Sequence, residues 1–175
     1  MNYVGYAVIG GIVFGLFLTA ILYLVIHTDG RLKGRYDEMQ NSVRGRSYTY
    51  AYYTLMISNF IMMALFALNI DLPLDPYLAF FIALLPSGFV FGFMNVWNNA
   101  DVGLNSKRKT MFIMYIVIGT VCLGAAALNA ALGLMYKDGK LGIAFGTLLC
   151  GIMMLFLAVV TVIRNHIGDK EEEED

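Results

Sequence analysis

The sequence predicts an all-α integral membrane protein of five transmembrane helices, with its N-terminus outside and its C-terminus cytoplasmic, and three observations carry that reading. The chain is 59% hydrophobic and only 14% charged, whereas soluble domains carry about a quarter of their residues as charges. Its apolar residues gather into five long runs. Its lysines and arginines are confined almost wholly to alternate connections between those runs.

Crossing roughly 30 Å of hydrocarbon takes about 20 residues of helix, because each residue rises about 1.5 Å. Residues 3–27, 48–70, 77–97, 111–135 and 142–163 pass that test, and none carries an acidic, basic or histidine residue in its middle. The first run resembles a secretion signal. It lacks a basic leading region and is too long for a signal core, so it reads as a retained span. Together the spans make one five-helix domain over residues 1–170, followed by an acidic tail, 171–175, read as a solvated, disordered end. That tail would also be repelled by an anionic inner leaflet.

Orientation follows from the positive-inside rule, which keeps Lys and Arg on the cytoplasmic side. Arg31, Lys33, Arg35, Arg44 and Arg46 lie in the first connection, Lys107, Arg108 and Lys109 in the third, and Arg164 and Lys170 after the last span. Of the 12 basic residues only Lys137 and Lys140 fall outside. Aromatic anchors agree, since tyrosine and tryptophan favour the headgroup zone. Tyr3, Tyr6, Tyr77 and Tyr136 sit at outer ends; Tyr48, Tyr50, Tyr52, Tyr53, Trp97 and Tyr115 sit at or near inner ends.

The same composition narrows the function. A net charge of -1 gives no basic bias towards nucleic acid. Cys122 and Cys150 lie inside apolar runs, where buried thiols are expected instead of a disulfide framework. His27 and His166 stand apart, so no metal site is expected. There is no nucleophile elbow, no paired-histidine zinc motif and no phosphate-binding glycine loop. No enzyme activity and no cofactor are therefore expected.

Small residues recur four apart at Gly11 and Gly15, at Gly88 and Gly92, and at Gly142, Gly146 and Cys150, giving faces on which helices approach closely. Such faces suit contacts within the chain and equally a homo-oligomer. The glycine and alanine content of the fourth span predicts that it is the most enclosed helix. Pro86 offers no backbone donor to the carbonyl of Ile82, which predicts a kink. The second and third spans, and the fourth and fifth, form two hairpins of the same sense. Ala67-Leu68-Asn69 and Ala127-Leu128-Asn129, with Phe81 before Leu84-Leu85 and Phe145 before Leu148-Leu149, raise the idea of a duplication.

Proton and ion pumps normally hold an ionisable group at membrane depth, and no span carries one. The intramembrane polar residues, among them Thr54, Ser58, Asn59, Asn95, Thr120, Asn129 and Thr161, are expected to act first as hydrogen-bonding glue between helices. Asn59, Asn95 and Asn129 are the candidates to line a solute path.

The patterned polar segment is the first cytoplasmic loop. Tyr36, Met39 and Val43 share one helical face and Asp37, Gln40 and Arg44 another, predicting a short surface helix that turns at Gly45 into the second span. Its Asp37-Glu38, Gln40, Arg44-Gly45, Tyr48 and Tyr50-Ala51 resemble a D-E-x-Q...R-G-x-x-Y-x-Y-A pattern of small multi-pass membrane proteins of Gram-positive bacteria that are functionally uncharacterised. Met39 and Arg46 depart from it, those places being often basic and lysine. The resemblance covers about fifteen residues. It implies a bacterial plasma-membrane protein with an important cytoplasmic loop, and no reaction or substrate.

The expected function is that of a non-enzymatic membrane subunit of accessory, sensor-like or immunity type, working in the lipid bilayer through a membrane or cytoplasmic protein partner. Asp37, Glu38, Gln40, Arg44 and Tyr48 are the expected partner-binding residues, with Arg44 oriented by Asp37 or by a partner carboxylate. The alternative is a small oligomeric transporter or channel.

Overall fold

The computed structural model describes residues 36–104 and 107–174, so the predicted span 3–27 lies outside the described residues. Four helices follow one another: α1 (Glu38–Ala67), α2 (Pro76–Trp97), α3 (Arg108–Ala131) and α4 (Phe145–Glu174), with two-residue strands β1 (Tyr136–Lys137) and β2 (Lys140–Leu141) between α3 and α4. All four helices are long and apolar enough to cross a membrane.

The chain signals where each helix begins and ends. Asp37 caps α1 in a capping box: its carboxylate accepts from Gln40 N at 2.6 Å while Gln40 Oε1 accepts from Asp37 N at 3.4 Å. Asp75 caps α2, with Pro76 at the first helical position, where a missing N–H costs nothing. Three helices end alike. Asn69, Asn99 and Gly133 take left-handed φ of 52°, 56° and 69°, and in each case the next amide reaches back five residues: Ile70 to Leu65, Ala100 to Asn95, Leu134 to Asn129. This is the Schellman ending, which satisfies the last carbonyls of a helix.

The first helix differs from expectation. No turn occurs at Gly45, and the surface helix and second span are one 30-residue element. The capping box starts the helix at Glu38, and Gly45 costs only about 1 kcal/mol of helix propensity, too little to break it. The duplicated tripeptide is also placed differently: Ala67-Leu68-Asn69 ends α1, whereas its counterpart in position at the end of α3 is Ala131-Leu132-Gly133, and Asn129 is still helical.

Helices α1 and α2 pair, α3 and α4 pair, and the hairpins meet through α2 and α4. Between α1 and α2 the filling is aromatic and large, with Tyr48 against Phe91 at 4.7 Å and Phe66 against Phe80 at 6.4 Å between ring centroids. Between α3 and α4 it is close approach at glycine: a Cβ on Gly119 would stand 2.8 Å from Leu155 Cδ2, and one on Gly151 would stand 2.8 Å from Leu123 Cδ2. Gly92 and Gly146 admit Leu157 and Phe81 between the hairpins, while Gly88 meets nothing.

The most enclosed helix is α4, not α3, because α4 touches both α2 and α3 whereas α3 packs mainly on α4. Gly124, Ala127, Ala130 and Ala131 of α3 face outward. The main core joins Val96, Tyr115, Leu157, Ala158 and Val160, and a smaller one joins Met62, Ala79 and Ala83. Ile57, Phe60, Ile61, Leu84, Val121, Leu128, Ile152 and Val159 remain exposed, which is stable only in an apolar solvent. The protein is a multi-pass helical membrane protein in contact with lipid.

Candidate functional site

The basic side chains of the described residues are segregated by the fold. Arg44, Arg46, Lys107, Arg108, Lys109 and Arg164 belong to one end of the bundle, where α1 and α3 begin and α2 ends. Lys137 and Lys140 belong to the other, in the β1–β2 hairpin.

At the basic end the beginning of α1 is fastened to the connection between α2 and α3. Gln40 Nε2 donates to the carbonyls of Asn99 at 2.9 Å and Val102 at 3.2 Å, and Arg44 Nη1 donates to the carbonyl of Ala100 at 3.2 Å. One helical turn separates Gln40 from Arg44, so both reach the same loop. The Arg44 guanidinium also lies 4.1 Å from the centroid of the Tyr36 ring, a cation–π contact. From α3, Arg108 donates to Asn99 Oδ1, and from α4, Arg164 Nε donates to the carbonyl of Trp97 at 3.0 Å.

Asp101 occupies the centre of this clamp. It is 8% exposed, and neither carboxylate oxygen has a hydrogen-bond partner. The buried Nε of Arg108 and Oδ1 of Asn95 are likewise unpartnered. Burial pushes the Asp101 carboxyl above the ordinary carboxylate range, outweighing the opposing pull of Arg108, of the backbone N–H groups of Asp101 and Val102, and of Arg44. Those N–H groups and guanidinium groups lie within electrostatic reach without making a well-formed hydrogen bond to it. Tyr115 of α3, itself buried, is within electrostatic reach of Asp101 and Tyr36.

Of the residues expected from the sequence, Asp37, Gln40 and Arg44 come together here, but in other roles. Asp37 does not orient Arg44: its carboxylate is spent on the Gln40 amide, and Arg44 turns to the Ala100 carbonyl and Tyr36. Glu38 is exposed in the first turn of α1, where its charge suits the helix dipole. Tyr48 is exposed and sets its ring, tilted, against that of Phe91. Asn95 is buried near the end of α2, while Asn59 lies exposed on α1 and Asn129 near the far end of α3.

The expected glue between helices takes a different form. Thr54, Ser58, Asn59, Asn95, Thr120 and Thr161 each donate to the carbonyl four residues earlier in their own helix. Short polar side chains reach that carbonyl without help from a neighbour, so the local bond wins.

Sequence reasoning did not single out Asp101 or Asn99, read Tyr115 only as an aromatic anchor near an inner end, and read Arg108 only as a topology signal. The signal available was Asn98-Asn99-Ala100-Asp101 directly after an apolar run, a helix stop with a carboxylate close to Lys107-Arg108-Lys109. Among the described residues no group of three or more His, Cys, Asp or Glu side chains is placed to hold a metal ion. No family model, curated protein or solved structure matches the chain significantly.

Proposed function

We propose that this chain is a five-span, non-enzymatic subunit of a bacterial plasma membrane, with its N-terminus outside and its basic end in the cytoplasm, acting by binding another protein. The observation that carries this reading is the length and fastening of α1. Its 30 residues extend about 45 Å at about 1.5 Å each, against roughly 30 Å of hydrocarbon. About ten residues therefore stand clear of the membrane core as helix, and Gln40 and Arg44 brace them against the α2–α3 connection.

With Gln40 and Arg44 turned inward, the outward face is left to Glu38, Met39, Asn41, Ser42 and Arg46, of which Met39 is 75% exposed. An exposed methionine among polar neighbours is an adaptable apolar contact for a protein surface. Gln40 and Arg44 therefore support the docking surface from behind. The likeness of this segment to the Gram-positive pattern supports the bacterial setting, and the grouping of arginines supports the orientation.

A photo-crosslinking residue at Met39, in cells, tests the reading: one discrete protein adduct is expected, lost on Arg46→Glu with membrane insertion unchanged. Absence of any adduct from Met39, Asn41 and Ser42 alike would reject docking at this helix. The transporter reading keeps one supporting observation, the unpartnered Asn95 Oδ1 inside the bundle. It predicts solute or ion flux in liposomes that Asn95→Leu alters.

A further inference from the structure

We propose that Asp101 is a proton-binding site whose charge state sets whether the start of α1 is clamped to the connection joining the two helical hairpins. The inference stands on the geometry of the basic end and does not depend on the partner reading.

A buried, ionised carboxylate is normally held by several hydrogen bonds or a paired cation. Asp101 has neither, although the guanidinium groups of Arg108 and Arg44 act on it electrostatically. Arg44 instead holds the neighbouring carbonyl of Ala100, and Arg108 holds the neighbouring side chain of Asn99, leaving its own Nε unpartnered. The ionised form is the costlier of its two forms in such a setting, because no hydrogen bond or ion pair compensates the buried charge. Loss of its proton places a full negative charge beside two arginines whose present acceptors are neutral, and a charge-assisted bond to carboxylate outcompetes one to a carbonyl.

The groups facing Asp101 can be named from each element. From α1 comes Arg44, and from α3 come Arg108 and Tyr115, with Tyr36 acting on Tyr115 and lying against Arg44. From α4 the cation at this end is Arg164, engaged with the Trp97 carbonyl. Among the described residues, no second carboxylate acts on Asp101. Its proton therefore governs the anionic charge of the clamp by itself.

Burial raises the carboxyl above its ordinary range, so the closed clamp favours the protonated form. Closure is complete below the ordinary carboxylate pKa and is lost as pH rises through the raised one. Ionisation draws Arg44 from Ala100 and Arg108 from Asn99, and the new charge brings water into the cluster. The bonds joining α1 to the loop loosen.

The test uses full-length protein in lipid nanodiscs, with Cys122 and Cys150 replaced by alanine and spin labels on cysteines placed at exposed Asn41 and Lys107. Two quantities are followed against pH: the infrared band of a protonated carboxyl and the distance between the labels. The expected result is a carboxyl band that disappears, and a distance that lengthens, with one shared midpoint above the ordinary carboxylate range. Asp101→Asn should remove the band and hold the short distance at every pH. A band that survives Asp101→Asn, a distance insensitive to pH in the wild type, or a distance change that persists in the variant each overturns the proposal. If Asp101→Asn does not insert, Asp101→Glu decides: both midpoints must move together, and separate movement rejects the coupling.

Discussion

The two ends of the bundle perform the same task, fastening stretches of chain that are distant in sequence, with opposite materials. At the end carrying Lys140 the joint is mostly backbone: Leu141 N donates to Pro73 O at 2.8 Å, Asp75 N donates to Leu141 O at 2.7 Å, and strands β1 and β2 pair antiparallel. The ion pair of Lys140 with Asp71, at 2.6 Å, is open to solvent. At the basic end the joint is made by long side chains around a buried carboxylate. Backbone joints depend little on which side chains are present, and the titratable pair at that end, Lys140 and Asp71, is exposed to solvent instead of buried in the joint. The basic end can therefore respond to charge, and the other end can only hold.

Arg108 offers the largest way to sharpen that contrast. Arg108→Met removes the guanidinium that most offsets the burial of Asp101 and leaves Asn99 Oδ1 without its donor. A loss of about 2 kcal/mol is expected, below the full cost of breaking a buried pair because the side chain is half-buried. The loss should depend on pH in a set direction. Ionised Asp101 is what the arginine neutralises, so the deficit is largest above the raised carboxyl pKa and shrinks as acid protonates Asp101. Thermal unfolding in detergent across pH measures it, and a deficit that grows towards acid would refute the assignment.

Gln40 should follow. Gln40→Ala removes two hydrogen bonds to the α2–α3 connection and half of the capping box, for about 1–2 kcal/mol together. That corresponds to a melting point lower by about 3–6 °C for a domain of this size. Gln40→Glu is the sharper variant, because it keeps an oxygen able to accept from the Asp37 amide but turns negative charge on two carbonyls. It should be worse than alanine if the clamp matters more than the cap.

The sequence was legible where one physical rule dominates. Hydropathy and length gave four of the five spans to within a few residues at most ends, because lipid solvation leaves helix as the only economical backbone; the fifth lies outside the described residues. The span was begun ten residues late because Gly45 was read as a turn between a short surface helix and the second span, whereas one helix runs unbroken from the capping box at Asp37. Enclosure was misread because small residues permit close packing without saying which face finds a partner. At the site, Gln40 and Arg44, one turn apart, reach the same loop, while Asp37 is the cap before the helix and binds the Gln40 amide instead. What Gln40 and Arg44 meet, a loop some 60 residues later in the chain, is a long-range contact that no local pattern encodes, and so Asp101 stayed unseen.

At the opposite end, Asp138 and Gly139 have φ of 51° and 77°, the pair of left-handed residues that a two-residue type I′ hairpin turn requires. Gly139→Ala should cost about 1 kcal/mol from backbone strain alone, although no atom stands within 4 Å of the added Cβ. Asp138→Asn keeps a side chain that tolerates this conformation and should be nearly neutral. Faster amide exchange across residues 136–141 in Gly139→Ala, with the basic end unchanged, would show that the two joints are independent.

The smallest effect is expected from the most conspicuous contact. Lys140 and Asp71 form a close ion pair, but their side chains are 42% and 86% exposed. Water already solvates both charges, so closing the pair gains little and costs side-chain freedom; exposed pairs are worth about 0–1 kcal/mol. Lys140→Ala and Asp71→Asn should each destabilise by less than about 0.5 kcal/mol, and the double variant by no more than either. The two β-strands and the Leu141 backbone bonds remain to hold the joint. Salt then separates the ends: at about 1 M the Debye length falls to roughly 3 Å, so whatever Lys140 contributes should vanish, while the Arg108→Met deficit, shielded from ions by burial, should persist. If salt erased both equally, the basic end would be as solvated as the other, and the contrast between the two joints would fail.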